Sequence, residues 1–147
     1  MQQRRINVRG IIFKNGKIYA QKLKSPDGEH DYWCTPGGGL EFGESITEGL
    51  HREMIEETGI TPQIGHLIMI QQYKDEQKEF LEFFFYIKNA DDYELVDLDN
   101  TSHGNIEISQ ASFIDPKTEF VLPEKLATLD FAKLIAEPHQ IHVSNLL

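Results

Sequence analysis

A chain of 147 residues, 39% hydrophobic and 26% charged, can bury the core of one domain and is too short for two ordinary ones. Its formal net charge of −10 argues against non-specific grip on a nucleic acid backbone, which takes clustered Lys and Arg. No stretch approaches the roughly 20 apolar residues of a membrane span, and the basic start MQQRRINVRG has no apolar run behind it. With Cys34 as the only cysteine, neither an internal disulfide nor a cysteine-rich zinc site is available, which points to reducing, cytoplasmic surroundings.

Ile6 to Phe13 is apolar and β-branched, Asn15-Gly16 is a hairpin signal, and Ile18 to Leu23 follows as a second strand. Together they predict one β-hairpin. Ser25-Pro26-Asp27-Gly28 is rich in turn formers, so residues 24–31 are expected as an exposed loop. Tyr32 to Thr35 reads as a short strand that stops at Pro36-Gly37-Gly38-Gly39, where regular structure is not expected and the backbone can approach something closely. A flexible turn is the plainer reading of such a run taken alone.

Ser45 and Glu48 make a capping box, and Gly59 suits a left-handed C-terminal position, so a helix is predicted over residues 46–58. Ile46, Leu50 and Met54 form its buried stripe. Residues 64–73 and 80–87 (FLEFFFYI) are predicted as paired strands, linked through residues 74–79. The acidic stretch 90–105 is expected as a surface loop, 106–114 as a strand, and 123–136 as a second helix opened by proline. The tail 137–147 carries no signal.

Six of the 24 acidic residues fall between Glu41 and Glu57. Glu53, Glu56 and Glu57 stand at i, i+3 and i+4, within reach of one another on one helical face. The stripe borders Glu53 and Glu57, so partial desolvation would sharpen their mutual repulsion and favour a cation between them. Mg²⁺, held by a few carboxylates together with substrate phosphates, meets that demand. An isolated E-x-x-E-E is more often a solvated acidic face. Arg52 reads either as a phosphate contact or as a bidentate clamp on a glutamate such as Glu44, and Glu44 as a bracing residue at the helix start.

Context decides between these readings. From Gly38 to Ile60 the chain reads GGLEFGESITEGLHREMIEETGI: a glycine, five residues, Glu44, seven residues, then Arg52-Glu53-Met54-x-Glu56-Glu57-x-Gly59-Ile60. This 23-residue pattern resembles the Nudix box at every fixed position, with a Trp-x-x-Pro-Gly-Gly lead-in at Trp33. The resemblance implies an α/β/α sandwich with a mixed sheet and a loop-helix-loop catalytic element, formed as a single domain over residues 1–147. It implies Mg²⁺- or Mn²⁺-dependent hydrolysis of a nucleoside diphosphate linked to another moiety. Glu53, Glu56 and Glu57 fall on the family's metal-binding positions, with the Gly37 or Gly38 carbonyl as a further ligand; Glu53 can instead serve as general base. Members often add a downstream acid, for which this chain offers Glu79, Glu82 and Glu107, the last being preferred.

Tyr32, Trp33, Phe83 and Phe85 are candidates for stacking on a base, although strand aromatics are mostly core. The substrate narrows by exclusion. No proline lies between Pro62 and Pro116, unlike some ADP-ribose hydrolases; the single cysteine excludes a zinc ribbon; the acidic charge disfavours a messenger-RNA cap. What remains is a nucleoside triphosphate, slightly preferred, or a nucleoside diphosphate derivative. The rival reading is a nucleotide-sensing module without turnover. Exposed strand edges would permit a homodimer.

Overall fold

The computed structural model describes residues 2–146. Strand β1 (Gln3–Ile11) and strand β2 (Phe13–Lys14) are separated at Ile12, and β3 (Lys17–Ser25) follows the turn at Asn15-Gly16. Both turn residues have positive φ, 51° and 78°, as a two-residue I′ turn requires. Only Phe13 and Lys14 pair with β3, however, and β1 belongs to another sheet. The single long hairpin expected from the sequence is therefore a short one. The reason is burial: Val8 and Ile11 lie on opposite faces of β1 and each is fully buried, which requires a central strand with partners on both sides.

Residues 24–31 are not wholly loop, because β4 (Gly28–Glu29) folds back on β3. After β5 (Trp33–Cys34), the glycine run expected to be irregular forms a strand, β6 (Gly37–Gly39), antiparallel to β1. Glycine is what permits this. A Cβ on Gly37, whose φ is +139°, would come within 2.0 Å of the Val8 carbonyl oxygen.

Helix α1 (Ile46–Thr58) has the predicted bounds and capping box, and Gly59 closes it in the left-handed region. It lies over β1 and β6, burying Leu50 and Met54 completely, with Ile46 partly buried beside them. Strands β7 (Ile64–Lys74) and β8 (Lys78–Ile87) pair antiparallel, and β8 runs parallel to β1.

The acidic stretch 90–105 is no loose loop. It folds as 3-10 turns at Ala90–Leu95 and Leu98–Asn100 and enters a short helix α2 (Gly104–Glu107). Tyr93 anchors it in the α1-side core, and Lys14 holds Asp91 and Glu94 at 2.7 and 3.0 Å. Strand β9 (Ile108–Ile114) pairs with β3, and β10 (Val121–Leu122) with β5.

The predicted helix over 123–136 is broken into a 3-10 turn (Glu124–Thr128) and α3 (Phe131–Ala136). At 100° per residue an unbroken helix would turn Phe131 away from Leu126 and Leu129. The break lets all three enter one core. The tail adds β11 (His142–Asn145), parallel to β7; its last residue lies outside the described ones.

The first sheet runs β11-β7-β8-β1-β6, and the second is β10-β5-β3-β2, with β4 and β9 also on β3. One core lies on the α1 side; the other is closed by the Glu124–Thr128 turn and α3. Among the described residues no helix is long and apolar enough to cross a membrane.

Truncating Leu50 to alanine removes a fully buried anchor of α1, and chemical denaturation is expected to show a loss of about 2–5 kcal/mol. Ser45→Ala, which deletes only the cap, is expected to cost about 1 kcal/mol.

Candidate active site

The capping box fixes where α1 begins and therefore which side chains face β6. Glu44, just before the cap, accepts two bonds from Arg52: Nε to Oε2 at 2.7 Å and Nη2 to Oε1 at 2.9 Å. Bidentate geometry of this kind combines charge with fixed orientation. Arg52, with the Glu41 amide, holds the Glu44 carboxyl down to about 2. The same guanidinium also donates to Glu53 at 3.0 Å, to Glu56 at 3.3 Å and to the Gly39 carbonyl at 3.1 Å. Arg52 thus ties the glycine strand, the helix start and two of the helix carboxylates together.

Glu57 is placed differently. It is 5% exposed and lies toward the interior, where its Oε2 accepts from Gln21 Nε2 at 2.6 Å and from the Gly37 amide at 3.1 Å. Burial raises its carboxyl to about 8, against the opposing pull of those two bonds and of the Arg9 charge. Glu53 is also raised by burial, with Arg52 opposing and the charges of Glu56 and Glu107 adding to the rise. Both carboxylates are therefore held where an added positive charge would be strongly favoured.

Glu107 comes near through α2, not through the strand that the sequence suggested. The His103 amide donates to the Glu56 carbonyl at 3.0 Å, and Gly104 packs so closely that a Cβ there would stand 2.2 Å from the Glu57 carbonyl oxygen. This docks α2 on the end of α1 and leaves Glu107 at its last position. Glu79 is elsewhere, paired with Arg4 at 2.6 Å. Glu82 lies in the interior with Arg9 at 2.8 Å.

Among the described residues, no three His, Cys, Asp or Glu side chains are drawn together tightly enough to hold an ion by themselves. The sequence placed Glu53, Glu56 and Glu57 on one face; here Glu53 and Glu56 share Arg52 while Glu57 is turned toward Gln21. The surroundings nevertheless suit a hard cation. A Cβ on Gly38 would sit 2.7 Å from the Glu53 carboxylate, so glycine keeps the main chain directly against that oxygen donor. An all-oxygen set is what Mg²⁺ or Mn²⁺ takes.

Phe83 and Phe85 pack in the α1-side core and Trp33 in the other, with Lys22 Nζ 5.2 Å from the Trp33 ring. None of these three is placed as a base-stacking surface. Tyr32 instead lines a cleft between the two sheets. His66 bonds the Leu134 carbonyl at 2.8 Å and His103 the Ser102 hydroxyl at 2.8 Å; Cys34 is buried and its thiol pushed up to about 11 by desolvation. Gln21 is the participant that the sequence reading passed over. Its only signal is a long polar side chain in the middle of an apolar strand.

These layers, with a glycine strand leading into a capped, acid-faced helix, define an α/β sandwich of Nudix type. Residues 3–134 match the NUDIX domain family, and the chain belongs to that family. Curated relatives include an 8-oxo-dGTP diphosphatase of Buchnera aphidicola, 42% identical over 51 residues, 35% of this chain and 39% of that protein. An ADP-ribose pyrophosphatase of Methanocaldococcus jannaschii is 36% identical over 70 residues, 48% of this chain and 41% of that protein. The match thus spans about two fifths of the length of these relatives. The same fold is seen in the solution structure of the E. coli ORF135 protein (TM-score 0.69, 21% identity, covering 95% of this chain and 96% of that one). It is seen again in a MutT NUDIX hydrolase from Burkholderia pseudomallei (TM-score 0.60, 16% identity, 94% and 99%).

Glu57 and Glu44, shifted in opposite directions, predict opposite pH effects on the metal-free protein. Glu57, raised from 4.5 to about 8, keeps a proton in the folded chain that the unfolded chain releases. Its stabilisation is complete below the ordinary carboxyl range and is lost as pH rises toward 8. Glu44, lowered to about 2, stabilises above the ordinary range and loses this as pH falls toward 2. In urea melts with chelator, Glu57→Gln is expected to gain on the wild type steadily from pH 5 to 8. A stability difference independent of pH would contradict the assignment.

Proposed function

We propose that this chain hydrolyses a pyrophosphate bond in a nucleoside triphosphate, or in another nucleoside diphosphate derivative, with Mg²⁺ or Mn²⁺, and that residues 1–147 act as one catalytic domain. The observation that carries this reading is the complete box from Gly38 to Ile60, folded as strand, capped helix and turn, with Glu44, Glu53 and Glu56 anchored by Arg52 and Glu57 by Gln21 and the Gly37 amide. The match to the NUDIX domain family supports it, as do two relatives named as a diphosphatase and a pyrophosphatase.

Glu53, Glu56 and Glu57 would hold the cation, with a main-chain oxygen of Gly37 or Gly38 and the Glu107 carboxylate as further donors. The bound cation supplies neutralisation of phosphate charge and an acidified water. The remaining work belongs to the chain. Where Glu53, packed against Gly38 and raised by desolvation, does not ligate the cation, it is suited instead to take the proton of the attacking water. Gln21 and the Gly37 amide fix one Glu57 oxygen and leave the other free to act as a donor. Arg52 and Glu44 position the array and do not touch substrate. Release of the Arg52 bonds to Glu53 and Glu56 would free both for a cation while the bidentate Glu44 contact keeps the guanidinium in place.

Phosphate release across a panel of nucleoside triphosphates, dinucleotides and nucleotide sugars is expected to be abolished by chelator and restored by Mg²⁺ or Mn²⁺. Glu56→Gln and Glu57→Gln are each expected to lower kcat at least about a hundredfold with the fold intact by circular dichroism, and Glu53→Gln by about 10²–10⁴. Full activity in all three variants would overturn the reading. Metal-dependent nucleotide binding without turnover in the wild type would favour a sensing module instead.

A further inference from the structure

One buried ion pair of the first sheet takes no part in the chemistry described above. The side chains of Arg9 on β1 and Glu82 on β8 are 20% and 3% exposed. Glu82 Oε2 accepts from Arg9 Nε at 2.8 Å and from Asn7 Nδ2 at 3.1 Å. Asn7 stands opposite Glu82 in register, and Arg9, two residues farther along the same face of β1, reaches back to it. Taking two charges out of water is unfavourable, and apolar side chains of the same volume would join the two strands at least as well. Stability of the sheet alone does not account for the pair.

The other arm of the Arg9 fork leads toward the carboxylates. Arg9 Nη1 donates to the Thr35 carbonyl at 2.9 Å. Through Thr35 and Pro36 the chain crosses from the second sheet, where Cys34 pairs with Gln21 on β3, to the first, where Gly37 pairs with Arg9 on β1. Both carbonyls of this crossing are tied to β1, that of Thr35 by the Arg9 side chain and that of Pro36 by the Gly10 amide at 2.9 Å. Thr35 is wholly buried and its hydroxyl has no partner. Among the described residues, Arg9 is thus the one side chain hydrogen-bonded to the crossing. The two ends of the crossing carry the two donors that meet at Glu57. Gln21, paired with Cys34, donates to Glu57 Oε2 at 2.6 Å, and the Gly37 amide donates to the same oxygen at 3.1 Å. Two donors converge on one atom only at a fixed separation, and the turn of residues 34–37 sets it.

With the metal-dependent reading above as its premise, we propose that Arg9 is a positioning residue for the candidate metal site: aimed by Glu82, it clamps the crossing so that Gln21 and the Gly37 amide meet at a single oxygen of Glu57. Gly37 has no side chain through which packing could fix its peptide plane, so the neighbouring peptides must fix it. The Gly37 carbonyl, counted above among the donors to a cation, is oriented by the same turn. Partners one step behind a metal's own ligands set ligand direction in this way. The role suits arginine, whose rigid fork engages the Glu82 carboxylate with one nitrogen and a carbonyl of another element with the next. Glu82 then serves twice, neutralising the guanidinium and holding its direction.

Arg9→Met alone strands the Glu82 carboxylate in the interior and lowers Tm for that reason, so the informative variant combines Arg9→Met with Glu82→Gln. Both charges are then removed at nearly unchanged volume. The new amide oxygen can still accept from Asn7, and its nitrogen can donate to the Asn7 or Gln71 side-chain oxygen, each buried without a partner. Tm is expected to be no lower than that of the wild type. In the metal-free protein, hydrogen exchange at the Gly37 amide is expected to run about tenfold faster or more, with the α1 amides unchanged. Mn²⁺ affinity, measured by calorimetry without substrate, is expected to fall about 10–100-fold. A pair that only joins β1 to β8 would leave Gly37 exchange and Mn²⁺ affinity at wild-type levels in this variant, and that result would overturn the proposal. A loss of protection spread evenly over Gly37 and α1 would overturn it as well. If the wild type binds no Mn²⁺, the metal-dependent reading fails by itself, and Gly37 exchange still decides whether Arg9 holds the crossing.

Discussion

One guanidinium surrounded by carboxylates holds this site in shape. Without Arg52, Glu44 would lose both of its strongest bonds, Glu53 and Glu56 would face each other without a cation, and the Gly39 carbonyl would lose its donor. Because the fork engages Glu44 with two nitrogens, it resists rotation as well as separation. That fixes the start of α1 against β6, and every functional side chain farther along the helix inherits its direction from this junction. A lysine there, carrying a single point charge, would not hold the same geometry.

Glycine sets the other half of the arrangement. Residues 37–39 form the edge of a sheet that would otherwise end at β1, and their lack of side chains lets Val8 and the Glu53 carboxylate approach the main chain from either side. The Gly37 amide then reaches Glu57, and Gln21 reaches it from the second sheet. Glu57 is thereby a carboxylate shared by helix and both sheets, which explains its depth of burial and the rise of its pKa together.

Several elements were legible because their causes are local. The bounds of α1 follow from Ser45, Glu48 and Gly59, each acting on backbone groups within a turn of itself. The pairing of β7 with β8 follows from two apolar runs joined by a short polar link. Where the reading and the structure part, a long-range partner has overridden a local preference. β1 leaves the hairpin because β8, some 70 positions later, offers a parallel edge along its whole length. The helix predicted over 123–136 breaks so that Phe131 joins the same core as Leu126 and Leu129. The acidic stretch after β8 is ordered because one tyrosine in it reaches the core.

The sequence alone determined the family-defining box, the capped helix within it, and the residue types available for catalysis, since all of these are short-range patterns of spacing and charge. Only the tertiary structure decided how those residues are shared out. It turned Glu57 inward to Gln21, brought Glu107 close by packing α2 against α1, sent Glu79 to the periphery, and put Gln71, Glu82 and Asn7 in register across three strands. Strand register and sheet order set these neighbours, and both are fixed by burial on two faces at once. A linear pattern carries no record of which distant strand satisfies that requirement.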